Sequence, residues 1–254
     1  GLLRPGDIML SVTSAPYDTL RGVIGIGDNH GQGSLDEFGV EYKQIEFKED
    51  GYIDLPAVSA AIDQYGDRLK VVFMQRSKGY LDRRTLTVAE IAEVAKLVHS
   101  KCNAYVVLDN CYGEFTEKVM PGEIGVDVFA GSLIKNPGGG IVEAGGYIAG
   151  KELYVERSAN RLTAPGVGSE GGAMFNQHRL IFQGLFMAPS IVSEAVKGAV
   201  LSAKVFEDIG FDTYPKHNEK RTFAKSRCRT FWLRKISCKS PIRIYFRKSL
   251  VLSK

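Results

Sequence analysis

The stretch from Tyr105 to Gly150 constrains the fold most. It holds two apolar runs, each closed by one ionisable residue and a glycine-containing turn. The first reads Y-V-V-L-D-N-C-Y-G-E-F and ends its apolar part at Asp109. The second reads V-D-V-F-A-G-S-L-I-K-N-P-G-G-G and sets Lys135 just before Gly138, Gly139 and Gly140. Short, unbroken apolar runs of this kind predict strands buried on both faces, as in a parallel sheet. In an open α/β sheet the ligand crevice lies outside the carboxyl ends of the strands. Asp109 and Lys135 are therefore expected to project into one crevice. Apolar flanks would desolvate Lys135 and favour its neutral amine, a nucleophile toward carbonyl carbon. The glycines would clear space where a flat ligand approaches the backbone. Spacing alone equally allows an ordinary Asp–Lys pair capping two strands.

The rest of the chain alternates in the same way. A strand is predicted at Ile8–Val12, followed by S-A-P-Y-D-T-L leading into a helix. An alternating strand covers Glu41–Phe47, and Asp54 is placed to cap a helix over Leu55–Tyr65, with Pro56 in its first turn. A buried strand runs over Lys70–Gln75 and ends in Q-R-S-K-G-Y. Thr87-Val-Ala-Glu90 forms a capping box. In the helix it opens, Val88, Ile91, Val94, Ala95 and Val98 share one apolar face, and His99 near its end would favour the helix dipole. After Lys135, G-G-Y-I-A-G reads as a further strand and Lys151–Leu162 as a helix. Two helices, about 173–187 and 190–209, are expected on either side of Pro189, and Phe211–Tyr214 as a last strand.

Two motifs fail on inspection. G-V-I-G-I-G-D-N-H-G-Q-G-S has His30 where a dinucleotide-binding loop needs its third glycine, and no acid follows at the right distance. S-L-I-K fits the S-x-x-K of penicillin-binding enzymes, but no S-D-N or K-T-G follows, and it ends a strand instead of opening a helix. Of the four cysteines, Cys102 and Cys111 lie in the body and show neither metal-ligand spacing nor a disulfide framework, which suits a reducing cytoplasm. No apolar run reaches about 18 residues, so no membrane span is expected.

Charge divides the chain unevenly. Residues 222–254 hold ten of the 33 Lys and Arg and none of the 29 Asp and Glu, leaving an acidic body. Such a tail could be a nucleic-acid or membrane-surface arm. Its abrupt onset after E-K-R and its loss of periodicity favour a foreign segment instead, such as a shifted reading frame.

Taken in order, L-R-P-G-D, P-Y-D-T-L, Q-R-S-K-G-Y, V-V-L-D-N-C-Y-G-E-F, S-L-I-K-N-P-G-G-G and G-G-Y-I-A-G make residues 1–221 resemble the fold-type I pyridoxal-phosphate enzymes. Among these the chain looks most like the methionine gamma-lyase-like group, also known as aluminium resistance proteins. The resemblance implies an α/β fold: a mostly parallel sheet flanked by helices, the large cofactor-binding domain over residues 1–210. A small C-terminal domain would begin at 211–221 and remain incomplete. It implies pyridoxal 5'-phosphate as cofactor, joined as a Schiff base to Lys135, with Asp109 on the pyridine nitrogen.

Further roles follow from the same resemblance. Ser132 would contact cofactor phosphate and Tyr17 would stack on the ring. Gln75, Arg76 and Ser77 would contact cofactor or substrate, Arg76 through its fork of donors, and Asn110 would orient neighbouring polar groups. No metal is implied. The expected activity is a lyase acting by β- or γ-elimination on sulfur amino acids such as methionine or cystathionine, in a cytoplasmic homodimer or homotetramer, without membrane or nucleic acid as partner. The alternatives are an aminotransferase on the same scaffold, or a non-enzymatic fragment binding nucleic acid through its tail. Relatives carry a glycine-rich phosphate-binding turn upstream of this chain's first residue and a C-terminal domain beyond it, so both ends read as truncated and an inactive fragment stays among the alternatives.

Overall fold

The computed structural model describes residues 1–29, 31, 33–78, 83–172, 174–211 and 213–219. His30 and the basic tail, to which two of the expectations above belong, lie outside them. The chain forms two compact units. Among the described residues, the first comprises those within 1–111, 117–132 and 146–176; the second comprises those within 112–116, 133–145 and 177–219.

The first unit is built on a six-stranded mixed sheet. Its strands are β1 (Ile8–Ser11), β2 (Glu41–Gln44), β3 (Leu69–Gln75), β4 (Tyr105–Asp109), β5 (Val128–Ser132) and β6 (Gly146–Gly150), in the spatial order β2-β1-β3-β4-β5-β6. The first five are mutually parallel, and β6 runs antiparallel to β5 with Ser132 opposite Gly146. Four helices belong to this unit: α1 (Asp18–Ile24), α2 (Leu55–Tyr65), α3 (Val88–Lys101) and α4 (Glu152–Leu162).

Alternation along the strands distributes two cores. Ile8, Leu10, Val72, Met74, Val106 and Leu108 pack with Val58 and Ile62 of α2 and with Ile91, Val94 and Val98 of α3. Met9, Val71 and Phe73 face the other way, against Ile24 of α1 and the half-buried Tyr105 and Val107. Tyr105 meets Tyr154 of α4 with ring centroids 4.6 Å apart.

The expected caps form. Asp54 Oδ1 accepts from Ala57 N at 3.0 Å. In the capping box, Thr87 Oγ1 accepts from Glu90 N and Thr87 N donates to Glu90 Oε2 at 2.8 Å. The five apolar residues assigned to the inner face of α3 are all buried. His99 has a more specific task than offsetting a dipole. Its Nε2 lies 3.2 Å from Asp127, a carboxylate only 2 % exposed that also accepts from Val106 N at 2.8 Å and pairs with Lys151 Nζ at 2.5 Å. That trio closes the amino end of β5.

In the second unit Pro189 does not divide two helices. It sits inside one helix, α5 (His178–Asp208). A proline removes one backbone hydrogen bond and crowds the preceding turn, and a helix of 31 residues keeps enough others on either side to carry it. By length and composition α5 could cross a membrane, although it holds no unbroken apolar run of about 18 residues. Phe182, Phe186 and Leu201 on it are exposed. The strand expected at 211–214 is absent among the described residues. Thr213 and His217 instead hydrogen-bond to Glu207, so the chain folds back onto the end of α5.

Gly138 and Gly139 have a different purpose from the one expected. A Cβ on Gly139 would lie 2.5 Å from the carbonyl oxygen of Gly184 in α5, and one on Gly184 would be closer still to that of Gly138. The glycines let two backbones touch, while Gly140 has nothing within 4 Å of where its Cβ would be. Two glycines of one helix should therefore respond oppositely to alanine. Gly198, whose added Cβ would meet nothing, should gain up to about 1 kcal/mol from helix propensity. Gly184→Ala should lose about 1–3 kcal/mol through overpacking. Urea unfolding of the two variants beside wild type measures both signs.

Candidate active site

The chain leaves β1 for β2 on one side of it and then crosses to β3 on the other. That reversal is the topological switch point, where a parallel sheet opens a crevice at its carboxyl edge. Unit one brings the expected residues to this edge. Gln75 and Asp109 are paired in register at the ends of β3 and β4, Asp109 faces Ala130 of β5, and Ser132 ends β5. Tyr17 immediately precedes α1, and its amide donates to Gln75 Oε1 at 2.8 Å.

Most polar groups at this edge are turned inward. Gln75 is 3 % exposed; its amide donates to Thr13 Oγ1 at 3.0 Å and its Nε2 to the Ser77 carbonyl at 3.0 Å. It holds Tyr17 in place and offers little to a ligand. Arg76 is corrected more strongly. Its side chain is 2 % exposed, with Nη2 on Glu117 Oε1 at 2.7 Å and Nη1 on Asn110 Oδ1 at 3.1 Å. Glu117 Oε1 also accepts from Val88 N, the first amide of α3, at 3.0 Å. The fork expected to grip a phosphate or carboxylate is thus an internal strut between β3, α3 and the segment after β4.

Around Asp109 the backbone is fixed at every residue. The Asp109 carbonyl accepts from Arg76 N at 2.9 Å, and Asn110 N donates to the Ala130 carbonyl at 2.8 Å. Asn110 Nδ2 donates to Tyr147 Oη at 3.3 Å. Asp109 itself is half-buried. One carboxylate oxygen accepts from Cys111 N at 3.0 Å, and the other has no hydrogen-bond partner among the described residues. Ser132 is half-buried, and Tyr17 is 38 % exposed.

Lys135 does not end a strand. β5 stops at Ser132, and Lys135 precedes the tight turn Asn136–Gly138 in the second unit. The apolar run Leu133-Ile134 suggested a longer strand; the close packing of Gly138 on the Leu133 carbonyl turns the chain there instead. Lys135 is half-buried, with Nζ 4.7 Å from the centroid of the Tyr112 ring. Asn136 Nδ2 donates to the Glu114 carbonyl at 2.9 Å, tying this turn to the loop 112–116. Among the described residues no cluster of three potential metal ligands occurs.

Sequence reasoning missed Glu117 and Tyr112. Glu117 lies in an irregular segment with no periodicity to mark it. Tyr112 showed only as one letter of D-N-C-Y-G, with no sign that its φ is +66°.

Truncating one partner of the Arg76–Glu117 pair leaves the other charge buried. Glu117→Ala should lower the unfolding free energy by about 3 kcal/mol. Glu194→Ala, which breaks the exposed pair with Lys197, should change it by under ~1 kcal/mol. Chemical denaturation of both variants tests the contrast.

The family model described as methionine gamma-lyase matches residues 1–231, ten residues into the basic tail. A crystal structure from Clostridium acetobutylicum, whose name as a cystathionine beta-lyase involved in aluminum resistance is provisional, is 48% identical with a TM-score of 0.83. The match covers 88% of this chain and 53% of that one. A carbon-sulfur lyase involved in aluminum resistance from Clostridium novyi NT is 44% identical, with a TM-score of 0.82, over 87% of this chain and 52% of its own. The uncharacterised protein YnbB of Bacillus subtilis is 44% identical over 223 residues, 87% of this chain and 52% of YnbB. The chain spans about half the length of these relatives.

Proposed function

The chain belongs to the methionine gamma-lyase family, and on that premise we propose that it is the cofactor-binding part of a fold-type I, pyridoxal-phosphate-dependent carbon–sulfur lyase. The observation that carries the proposal is Asp109: a half-buried carboxylate, rigidly held at the carboxyl edge beside the switch point, with one oxygen uncommitted among the described residues.

The donor set suits a phosphorylated pyridine aldehyde. Asp109 would hold the protonated ring nitrogen, Ser132 would donate to phosphate, and the exposed ring of Tyr17 would lie on the pyridine face. Lys135 would hold the aldehyde carbon through Nζ. When bound, the cofactor supplies an electron sink for negative charge at the substrate α-carbon. Lys135 Nζ is the base that moves the α-proton. Asn110, Arg76 and Glu117 keep Asp109 from moving, and Gln75 does the same for Tyr17. Fixed donors of this kind need no reorganisation as charge develops. The substrates are sulfur-containing amino acids. With water, elimination at the β- or γ-carbon gives a thiol, ammonia and a 2-oxo acid.

The exposed apolar residues of α5 support a homodimer or homotetramer. Cys102 and Cys111, neither of them in a disulfide, support a reducing, cytoplasmic setting.

Incubation with pyridoxal phosphate, borohydride reduction and peptide mapping test the assignment. The adduct is expected on Lys135, and Lys135→Ala should abolish it. Asp109→Asn should weaken cofactor binding about tenfold, the loss of one charge-assisted hydrogen bond. Labelling scattered over surface lysines with Lys135 unmodified would reject the site.

A further inference from the structure

Lys135 rests on an aromatic face that nothing in the proposed reaction requires. Its Nζ is 4.7 Å from the Tyr112 ring centroid, inside the range at which the ring quadrupole attracts a cation. The backbone that presents the ring is unusual. Tyr112 has φ +66° and Phe115 φ +61°, two bulky residues in the left-handed region within one short loop. Such conformations are rare for large side chains and persist only where the surroundings over-determine them.

Here they do. Thr116 Oγ1 donates to the Gly113 carbonyl at 2.7 Å, closing the loop on itself. Asn136 Nδ2 donates to the Glu114 carbonyl at 2.9 Å, and Asn136 is the residue after Lys135. Loop and lysine are therefore tied at adjacent positions, so the ring and the amine are placed by one local framework within the second unit. Glycine, free of the strain at position 112, would leave Lys135 without a ring.

We propose that Tyr112 is a positioning residue for Lys135, docking its side chain as the ammonium so that the neutral amine appears only when the ring contact is given up. The ring face stabilises the charged form alone, which opposes the desolvation expected from the apolar flanks of Lys135. The lysine is thereby shielded from stray electrophiles and held in one rotamer. The importance of this for catalysis rests on the reading of Lys135 as the cofactor lysine; the contact and its electrostatics do not.

Competitive acetylation of the cofactor-free chain tests the proposal. The labelling rate of the Lys135 peptide is followed by mass spectrometry against pH. The other titratable groups of this unit on the elements packed against the turn are Glu114 in the loop, Glu143 after the turn, and His178, Arg179, Glu194, Lys197, Lys204, Glu207 and Asp208 along α5. All are unchanged in the variants. Tyr112→Leu should lower the midpoint of the rate–pH curve by about 0.5–1 unit, making labelling roughly three- to tenfold faster below it. Tyr112→Phe, which keeps the ring, should retain the wild-type midpoint. Greater access alone would raise the plateau without moving the midpoint. Tyr112→Gly, which relieves the backbone, should shift the midpoint as leucine does and provides the test if the leucine variant does not fold. A wild-type midpoint in the leucine or glycine variant, or an equal shift in the phenylalanine variant, overturns the proposal. Since no cofactor is added, a failure here is distinct from a borohydride adduct missing from Lys135.

Discussion

Five parallel strands with helices on both faces leave no interior position for a polar side chain without a partner. Ile8, Leu10, Val72, Met74, Val106 and Leu108 occupy one face and Met9, Val71 and Phe73 the other. Polar residues are therefore displaced to the strand ends, where the ladder stops and backbone groups still need partners. The carboxyl ends of β1, β3, β4 and β5 coincide because parallel strands share a direction. The same rule acts at the amino end of β5, where buried Asp127 is tolerated only with Val106 N, His99 and Lys151 around it. One requirement, burial on both faces, collects the chemistry at one edge and the structural ion pairs wherever a charge is drawn inside.

At the carboxyl edge a second selection operates. Gln75, Arg76 and Asn110 are nearly inaccessible, and the described structure gives each of them protein partners. A buried guanidinium without its carboxylate would carry a heavy desolvation penalty, so Glu117 is as necessary to Arg76 as the strand itself. What these three accomplish is rigidity. They fix the backbone on both sides of Asp109 while leaving its second oxygen uncommitted. A group with spare hydrogen-bonding capacity, held by groups that have little, is a better mark of a ligand site than polarity or charge alone.

This distinction explains which parts were legible in the sequence. Strand and helix positions came from apolar spacing, and the caps at Asp54 and Thr87 came from local chemistry, because both depend on neighbours within a few residues. Asp109 was found because it interrupts an apolar run. Arg76 was misread because its partner, Glu117, lies 41 residues away, and no local pattern reveals a pair at that separation. Lys135 was placed on a strand because Leu133 and Ile134 look like its continuation. What ends β5 is the contact of Gly138 with the Leu133 carbonyl, and Gly138 in turn packs on Gly184. Both are tertiary contacts. Pro189 failed as a boundary for a related reason, since a helix long enough outweighs one local breaker.

At Lys135 a reading of the apolar flanks leaves out the aromatic ring that the structure sets beside the amine. Apolar flanks argued for an amine that is easily neutralised. An apolar flank that is aromatic and presents its face does the opposite, since it lowers the energy of the charged form without hydrating it. Both effects act on the same nitrogen, and Tyr112, which carries the ring, has a left-handed backbone. On the proposed reading, a lysine that awaits an aldehyde must stay unreactive toward other electrophiles yet become a nucleophile when its proper partner arrives. A ring contact meets both needs better than a carboxylate would. It is weak enough to be exchanged for a new bond, and it leaves no buried charge behind when the lysine departs.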